Sequence, residues 1–178
     1  MAYGVIIPNM IQATDVGTLN RNVKATYDIE NGSVFSLSFS DTAGEGEVFT
    51  AATPATGFLD KLWMAYEPEV VTTVSGSYEF KGIDPDVRNF KNLTGKVFSA
   101  FKPKVYDIIT MSADAITGTK NANTFVVGTV GASKLTWAAS AISGLSLELM
   151  KTNYISIGNP ALANTQRVTS YMFRVTAE

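Results

Sequence analysis

Two pairs of carboxylates have the spacing that would let a β-strand present them together: Glu45 with Glu47, and Glu67 with Glu69. Residues two apart on a strand share a face, and two facing carboxylates are what a glycosidase needs. Gly44 and Gly46 flank the first pair and Pro68 splits the second, so both read as solvated turn acids. Asp84-Pro85-Asp86 offers oxygen ligands of the kind calcium takes. It lacks the alternating ligands and distant bidentate glutamate of an EF-hand loop, and it reads as a turn. The chain of 178 residues contains no histidine and no cysteine. The commonest proton shuttle, the thiolate nucleophile and the usual transition-metal ligands are therefore missing together. An enzyme built here would rest on Asp, Glu, Lys, Tyr or Ser, and no Gly-x-Ser-x-Gly elbow or phosphate loop supports one. The expectation is a non-enzymatic protein without a cofactor.

Binding chemistry has two candidates. Arg88, Lys91, Lys96, Lys102 and Lys104 place five of the fourteen basic residues in one short stretch. Such a run would suit docking onto an acidic protein surface, with its field steering the approach. The plainer reading is a scatter of solvent-facing side chains. Trp63, Trp137, Phe98, Phe101, Tyr106 and Tyr154 would serve as a sugar-binding platform if they shared a face. Aromatics in alternating strands more often fill a core or a subunit interface.

The composition asks for adhesion. Hydrophobic residues make up 46% of the chain, charged residues 17%, and the net charge is −2. That is enough apolar material for a core, with no basic excess to pair with nucleic-acid phosphates. No run reaches the length of an apolar membrane span, and the first residues lack the basic region of a signal peptide. A weakly charged, Thr/Ser-covered surface suits a molecule that spends its life packed against others.

The elements that must position these residues are β-strands. Ala25, Tyr27 and Ile29 alternate with polar residues before Asn31-Gly32, and Phe35, Leu37 and Phe39 alternate with serines after it. The pattern predicts a hairpin. A three-residue loop, Glu30-Asn31-Gly32, pairs Tyr27 with Phe35 and Ala25 with Leu37 and keeps one face apolar, with Gly32 left-handed in a bulge. A two-residue loop would send the two apolar sets to opposite faces. Further strands are expected at 3–7, 48–51, 70–74, 97–101, 105–111, 124–129, 134–139, 145–150, 154–157 and 168–175, divided by glycine and proline turns. Residues 59–66 fit helical spacing at Leu59, Leu62, Trp63 and Tyr66, but their neighbours favour a strand. The fold class expected is all-β: an antiparallel β-barrel or β-sandwich with long loops and an extended N-terminal arm. The arm covers 1–22 and the β-rich domain 23–178, with a candidate subdivision near 75–95 in the loop at 75–93.

Residues 48–69, the segment Gly95-Lys96-Val97-Phe98-Ser99-Ala100-Phe101, the strand Tyr106-Asp107-Ile108-Ile109-Thr110-Met111-Ser112 and the segment Lys134-Leu135-Thr136-Trp137 carry a resemblance. Together with the alternating strand at 168–175 they resemble small structural proteins of tailed bacteriophages, in the style of capsid decoration, or cement, proteins. The likeness covers about the last two-thirds of the chain, through diffuse motifs. It implies a β-barrel attached to the outer face of an icosahedral shell, with the major capsid protein as partner and a homo-oligomer, often a trimer, as the working form. It also implies assembly into a virion after synthesis in the host cytoplasm, with no nucleic-acid or membrane partner. Three other readings compete: a tail-tube or head-completion subunit, a carbohydrate-binding module of an adhesin, and a hydrolase using Asp and Glu.

Overall fold

A computed structural model describes residues 2–7, 11, 17–38, 48–75, 78–81, 86–157 and 165–178, with the side chains of 72–80 left aside. Glu45, Glu47, Asp84 and Pro85 lie outside the described residues. The architecture is all-β. Among the described residues thirteen strands form a closed five-stranded barrel, a six-stranded sheet and a two-stranded sheet.

The barrel runs β1 (Asn20–Lys24), β3 (Val48–Ala52), β2 (Val34–Ser38), β4 (Leu62–Ala65) and β7 (Val97–Phe101), and back to β1. β1 and β3 are parallel, and the other pairs are antiparallel. The two-stranded sheet is β5 (Thr72–Ser75) with β6 (Tyr78–Lys81). The six-stranded sheet runs β8 (Ile108–Ser112), β13 (Gln166–Ala177), β12 (Ser146–Ile157), β10 (Phe125–Val127), β11 (Leu135–Ala138) and β9 (Ile116–Thr117).

Two cores are packed on opposite sides of one wall. Phe35, Ala65, Phe98 and Ala100 fill the barrel interior with Val23, Ala25, Ile29 and Ala51. Small residues dominate because a barrel of few strands is narrow, and Phe35 and Phe98 meet edge to face with centroids 5.6 Å apart. Val34, Leu62, Met64 and Phe101, on the other face of the same strands, pack against Ile109, Leu135, Leu147, Phe173 and Val175 of the sheet. This double burial explains the Leu62-Trp63-Met64-Ala65 run, which lacks polar alternation. It forms a strand, as its neighbours require. Where β12 and β13 pair at the root of the sheet, the alternation is clean. Leu147 and Phe173 point inward, whereas Glu148 and Arg174 are cross-strand partners joined outside by an ion pair at 2.6 Å.

The predicted hairpin is replaced by a crossing. The chain does turn at Asn31-Gly32: Ser33 N–H donates to the Glu30 carbonyl at 3.1 Å, and Gly32 is left-handed at φ 80°. Residues 25–29 do not pair with β2. Ala25 and Ile29 bond instead to the Lys96 and Asn92 carbonyls at 3.0 and 2.9 Å. Phe35 stands opposite Trp63, and Leu37 opposite Ala51. Burying Ala25 and Ile29 inside the barrel requires them to continue β1 past β7, so β2 finds its partners elsewhere.

Of the expected N-terminal arm over 1–22, residues 2–7, 11 and 17–22 are described. Residues 3–7 are extended, but they lie along β8, the end strand of the sheet. Ile7 N–H donates to Thr110 O at 3.0 Å and Ser112 N–H to Val5 O at 2.8 Å. Val5, Ile6 and Ile11 are buried, and β1 begins at Asn20. The segment covers a sheet edge that would otherwise offer bare donors and acceptors. Two further expectations change. The segments at 145–150 and 154–157 are one strand of 12 residues, β12, with a register shift between Leu149 and Lys151 that leaves Met150 as a bulge. The loop at 75–93 contains β6 and a 3-10 turn at Val87–Asn89.

Candidate functional site

The five basic residues of the expected docking run do not form one patch. Asp86 caps the 3-10 turn by accepting from Arg88 N–H at 3.0 Å, and its carboxylate pairs with the Arg88 guanidinium at 2.7 Å. The Arg88 side chain holds the Asp86 carboxyl below its ordinary range. Arg88 also donates to Gln166 Oε1 at 2.6 Å. Lys91 pairs with Asp28 at 2.6 Å and lies over the Tyr3 ring. Hydrogen bonds from Lys91 and Thr94 lower the Asp28 carboxyl. Lys104 pairs with Glu178 at 2.8 Å. Arg88, Lys91 and Lys104 thus tie the chain to itself. Lys96 and Lys102 make no ion pair among the described residues, and they flank β7 at its two ends. Six residues of extended chain put them about 20 Å apart.

The acid pair Glu67 and Glu69 is a structural clasp. Asn31, with no solvent exposure, donates to the Glu67 carbonyl at 2.8 Å and to Glu69 Oε1 at 3.0 Å, and its Oδ1 accepts from Glu67 N–H at 3.1 Å. Glu67 turns away and accepts from Ser99 N–H at 2.8 Å. Burial raises the Glu69 carboxyl, and hydrogen bonds from Asn31 and the Ile6 backbone offset part of that rise. The two carboxylates are committed to different partners and do not face a common space. Asp86 of the Asp84-Pro85-Asp86 motif is occupied by Arg88, and among the described residues no group of three or more acids could hold a metal ion.

The six aromatics are dispersed. Phe98 lies in the barrel and Phe101 in the shared core. Trp137 packs on Tyr171 and Phe173 with centroids 5.2 and 5.8 Å away. Tyr106 is 76% exposed in a turn before β8, at φ 79°. Tyr154 is exposed on β12, where the Arg167 guanidinium stacks on it at 4.1 Å. Trp63 lines a concavity.

That concavity is the mouth of the barrel. Arg21, Leu37, Phe49 and Trp63 each stand two residues from an inward-facing residue: Val23, Phe35, Ala51 and Ala65. They form the next inward layer at one end, and there the barrel opens into a hollow of about 450 Å³. Phe58, Lys61 and Lys102 rim it, and Ser36 adds a hydroxyl already bonded to Ala52 O. The Arg21 guanidinium carbon lies 5.7 Å from the Phe49 ring centre and 5.8 Å from that of Trp63. Its Nη1 donates to the Asn20 and Gly17 carbonyls at 2.7 and 3.4 Å, which fixes its direction. Lys61 lies over Phe58 at 5.6 Å. Of these residues the sequence drew attention only to Trp63 and Lys102. The same-face phase of the four inward residues is written in their i, i+2 spacing, but only the strand order brings them around one opening.

A second surface is the ribbon of β12 and β13. Each strand is 12 residues long, and they pair from Ser146–Ala177 to Ile157–Gln166. β10 flanks β12 only at residues 146–148, and β8 flanks β13 only at 170–174. Beyond those roots, no strand lies beside either outer edge among the described residues. Met150 and Tyr154 are 52% and 55% exposed on it. Comparison with family models, with curated proteins and with solved structures found no match to this chain.

Proposed function

We propose that this chain is a virion structural protein that binds the outer surface of a phage capsid, with the major capsid protein as partner. It stabilises contacts between capsomers as a homo-oligomer. The observation that supports the reading is the β12–β13 ribbon, with its open edges and exposed Met150 and Tyr154. Unflanked strands offer backbone donors and acceptors to a neighbour, and exposed apolar side chains add adhesive area. Repetition by symmetry turns many such weak contacts into firm attachment. The test is co-sedimentation with purified shells assembled without this protein. Saturable binding at a fixed ratio to capsid subunits is expected, and failure to bind at saturating concentration removes the reading.

The same ribbon favours a second reading, a tail-tube or head-completion subunit, because open edges on one copy can continue the sheet of the next. Analytical ultracentrifugation separates the two. Closed rings or stacked tubes of the protein alone would support the second reading, and a small discrete oligomer would support the first.

A further inference from the structure

We propose that the barrel mouth binds an acidic peptide segment carrying an apolar side chain. The inference rests on the adhesion reading only for the protein nature of the partner. Its ground is charge. Arg88, Lys91, Lys104, Lys134 and Arg174 are each paired with a carboxylate of the chain: Asp86, Asp28, Glu178, Glu30 and Glu148. Arg21, Lys61 and Lys102 have no carboxylate partner among the described residues, and all three line one hollow. What sets these three apart from the other cations without a described carboxylate partner is that they share a single opening.

The floor gives the second half of the ligand. Leu37, Phe49 and Trp63 present apolar and aromatic surface at the bottom, and Phe58, 47% exposed, extends it to the rim. The volume accommodates a large side chain with the backbone that carries it. Arg21 is held against Phe49 and Trp63, with one nitrogen committed to backbone carbonyls. Its remaining N–H edge is pre-oriented for the bidentate geometry a carboxylate accepts. The lysines act as movable point charges for flanking acids. A nucleic acid would need a basic stripe following its phosphates, whereas these cations ring a closed end.

The test is titration of the full chain with the peptide Asp-Glu-Leu-Phe-Glu-Asp by calorimetry, in parallel with Lys-Lys-Leu-Phe-Lys-Lys and a single-stranded oligonucleotide. The acidic peptide should bind saturably, weaken with added salt and shift the emission of Trp63 in a Trp137→Phe background. The basic peptide should not bind. Arg21→Gln and Lys102→Gln should each weaken binding about tenfold while melting like the parent. Should Arg21→Gln fail to fold, Lys61→Gln with Lys102→Gln carries the comparison. Equal binding by the variants overturns the inference, as does tighter binding of the oligonucleotide. Binding that emerges only after Asp41, Glu45 and Glu47 are neutralised would also overturn it, by assigning the mouth to the chain's own acids. Shells separate the two proposals. If the parent ignores shells, the capsid reading falls and the peptide titration alone decides the mouth. If parent and Arg21→Gln/Lys102→Gln bind shells equally, the capsid reading stands without the mouth, and the peptide titration again decides the inference.

Discussion

Nδ2 of Asn31 donates to Oε1 of Glu69 at 3.0 Å, joining a wholly buried turn residue to a carboxyl whose ionisation burial disfavours. The same amide carries the Glu67 backbone on its other contacts, so the turn between residues 25–29 and β2 is fastened to the segment after β4.

Asn31→Ala should therefore cost about 3 kcal/mol. It strands the Glu67 N–H and carbonyl and one Glu69 oxygen in a partly dry site. Urea unfolding should show a lower midpoint at unchanged slope. A midpoint within experimental error of the parent would mean that water replaces the amide at no cost.

Glu69 also sets a pH dependence. Burial, the largest influence, raises its folded pKa above the unfolded one. The native state then holds the proton more tightly, so Glu69 costs no stability below its unfolded pKa. It costs progressively more as pH rises through the folded value, and the cost is constant above it. Glu69→Gln removes that dependence. The stability of the variant relative to the parent should grow from about pH 4 upward and then level off. Parallel stability curves for the two proteins across that range would refute this.

The N-terminal segment is a third place to probe. Ile6 is 1% exposed in the shared core, and Ile6→Ala should cost about 3 kcal/mol. Gly4 runs so close to its neighbours that a Cβ would stand 2.7 Å from Asn31 O and 2.8 Å from Ala115 Cα. Gly4→Ala should cost about 2 kcal/mol by lifting residues 3–7 off β8. Thermal melting should register both, and unaltered melting would place this segment outside the cooperative structure.

Lysines at the two ends of β7 should differ in shell binding. Lys102→Glu, at the barrel mouth, should weaken co-sedimentation roughly fivefold at low salt, whereas Lys96→Glu should leave it nearly unchanged. Lys104→Ala breaks only a half-exposed pair with Glu178, and its effect on stability should stay below about 1 kcal/mol. Equal losses from Lys96→Glu and Lys102→Glu would restore a single basic patch as the docking surface.

Single-face burial was the legible part of the sequence. Leu145, Leu147 and Leu149 announced β12, and Tyr171, Phe173 and Val175 announced β13, because one side of that sheet meets the core and the other meets water. Where both faces are buried the signal fades, as in residues 62–65, since alternation carries no information there. The hairpin at Asn31-Gly32 was misread for a different reason. Its turn chemistry is local and correct, but the partners of Phe35 and Leu37 are chosen by barrel closure, which no adjacent residue encodes. The barrel mouth escaped for the same cause: Arg21, Phe49 and Lys61 are far apart in the chain and meet only through strand order. In the basic run, neighbours in sequence stand apart in space, with Lys96 and Lys102 at opposite ends of β7.

The wall formed by β2, β4 and β7 serves both packed interiors, and neither interior survives its removal. Barrel and sheet are consequently expected to melt in one step. Met64 and Phe35 stand on opposite faces of that shared wall, so a change that shifts either backbone reaches the packing on both sides.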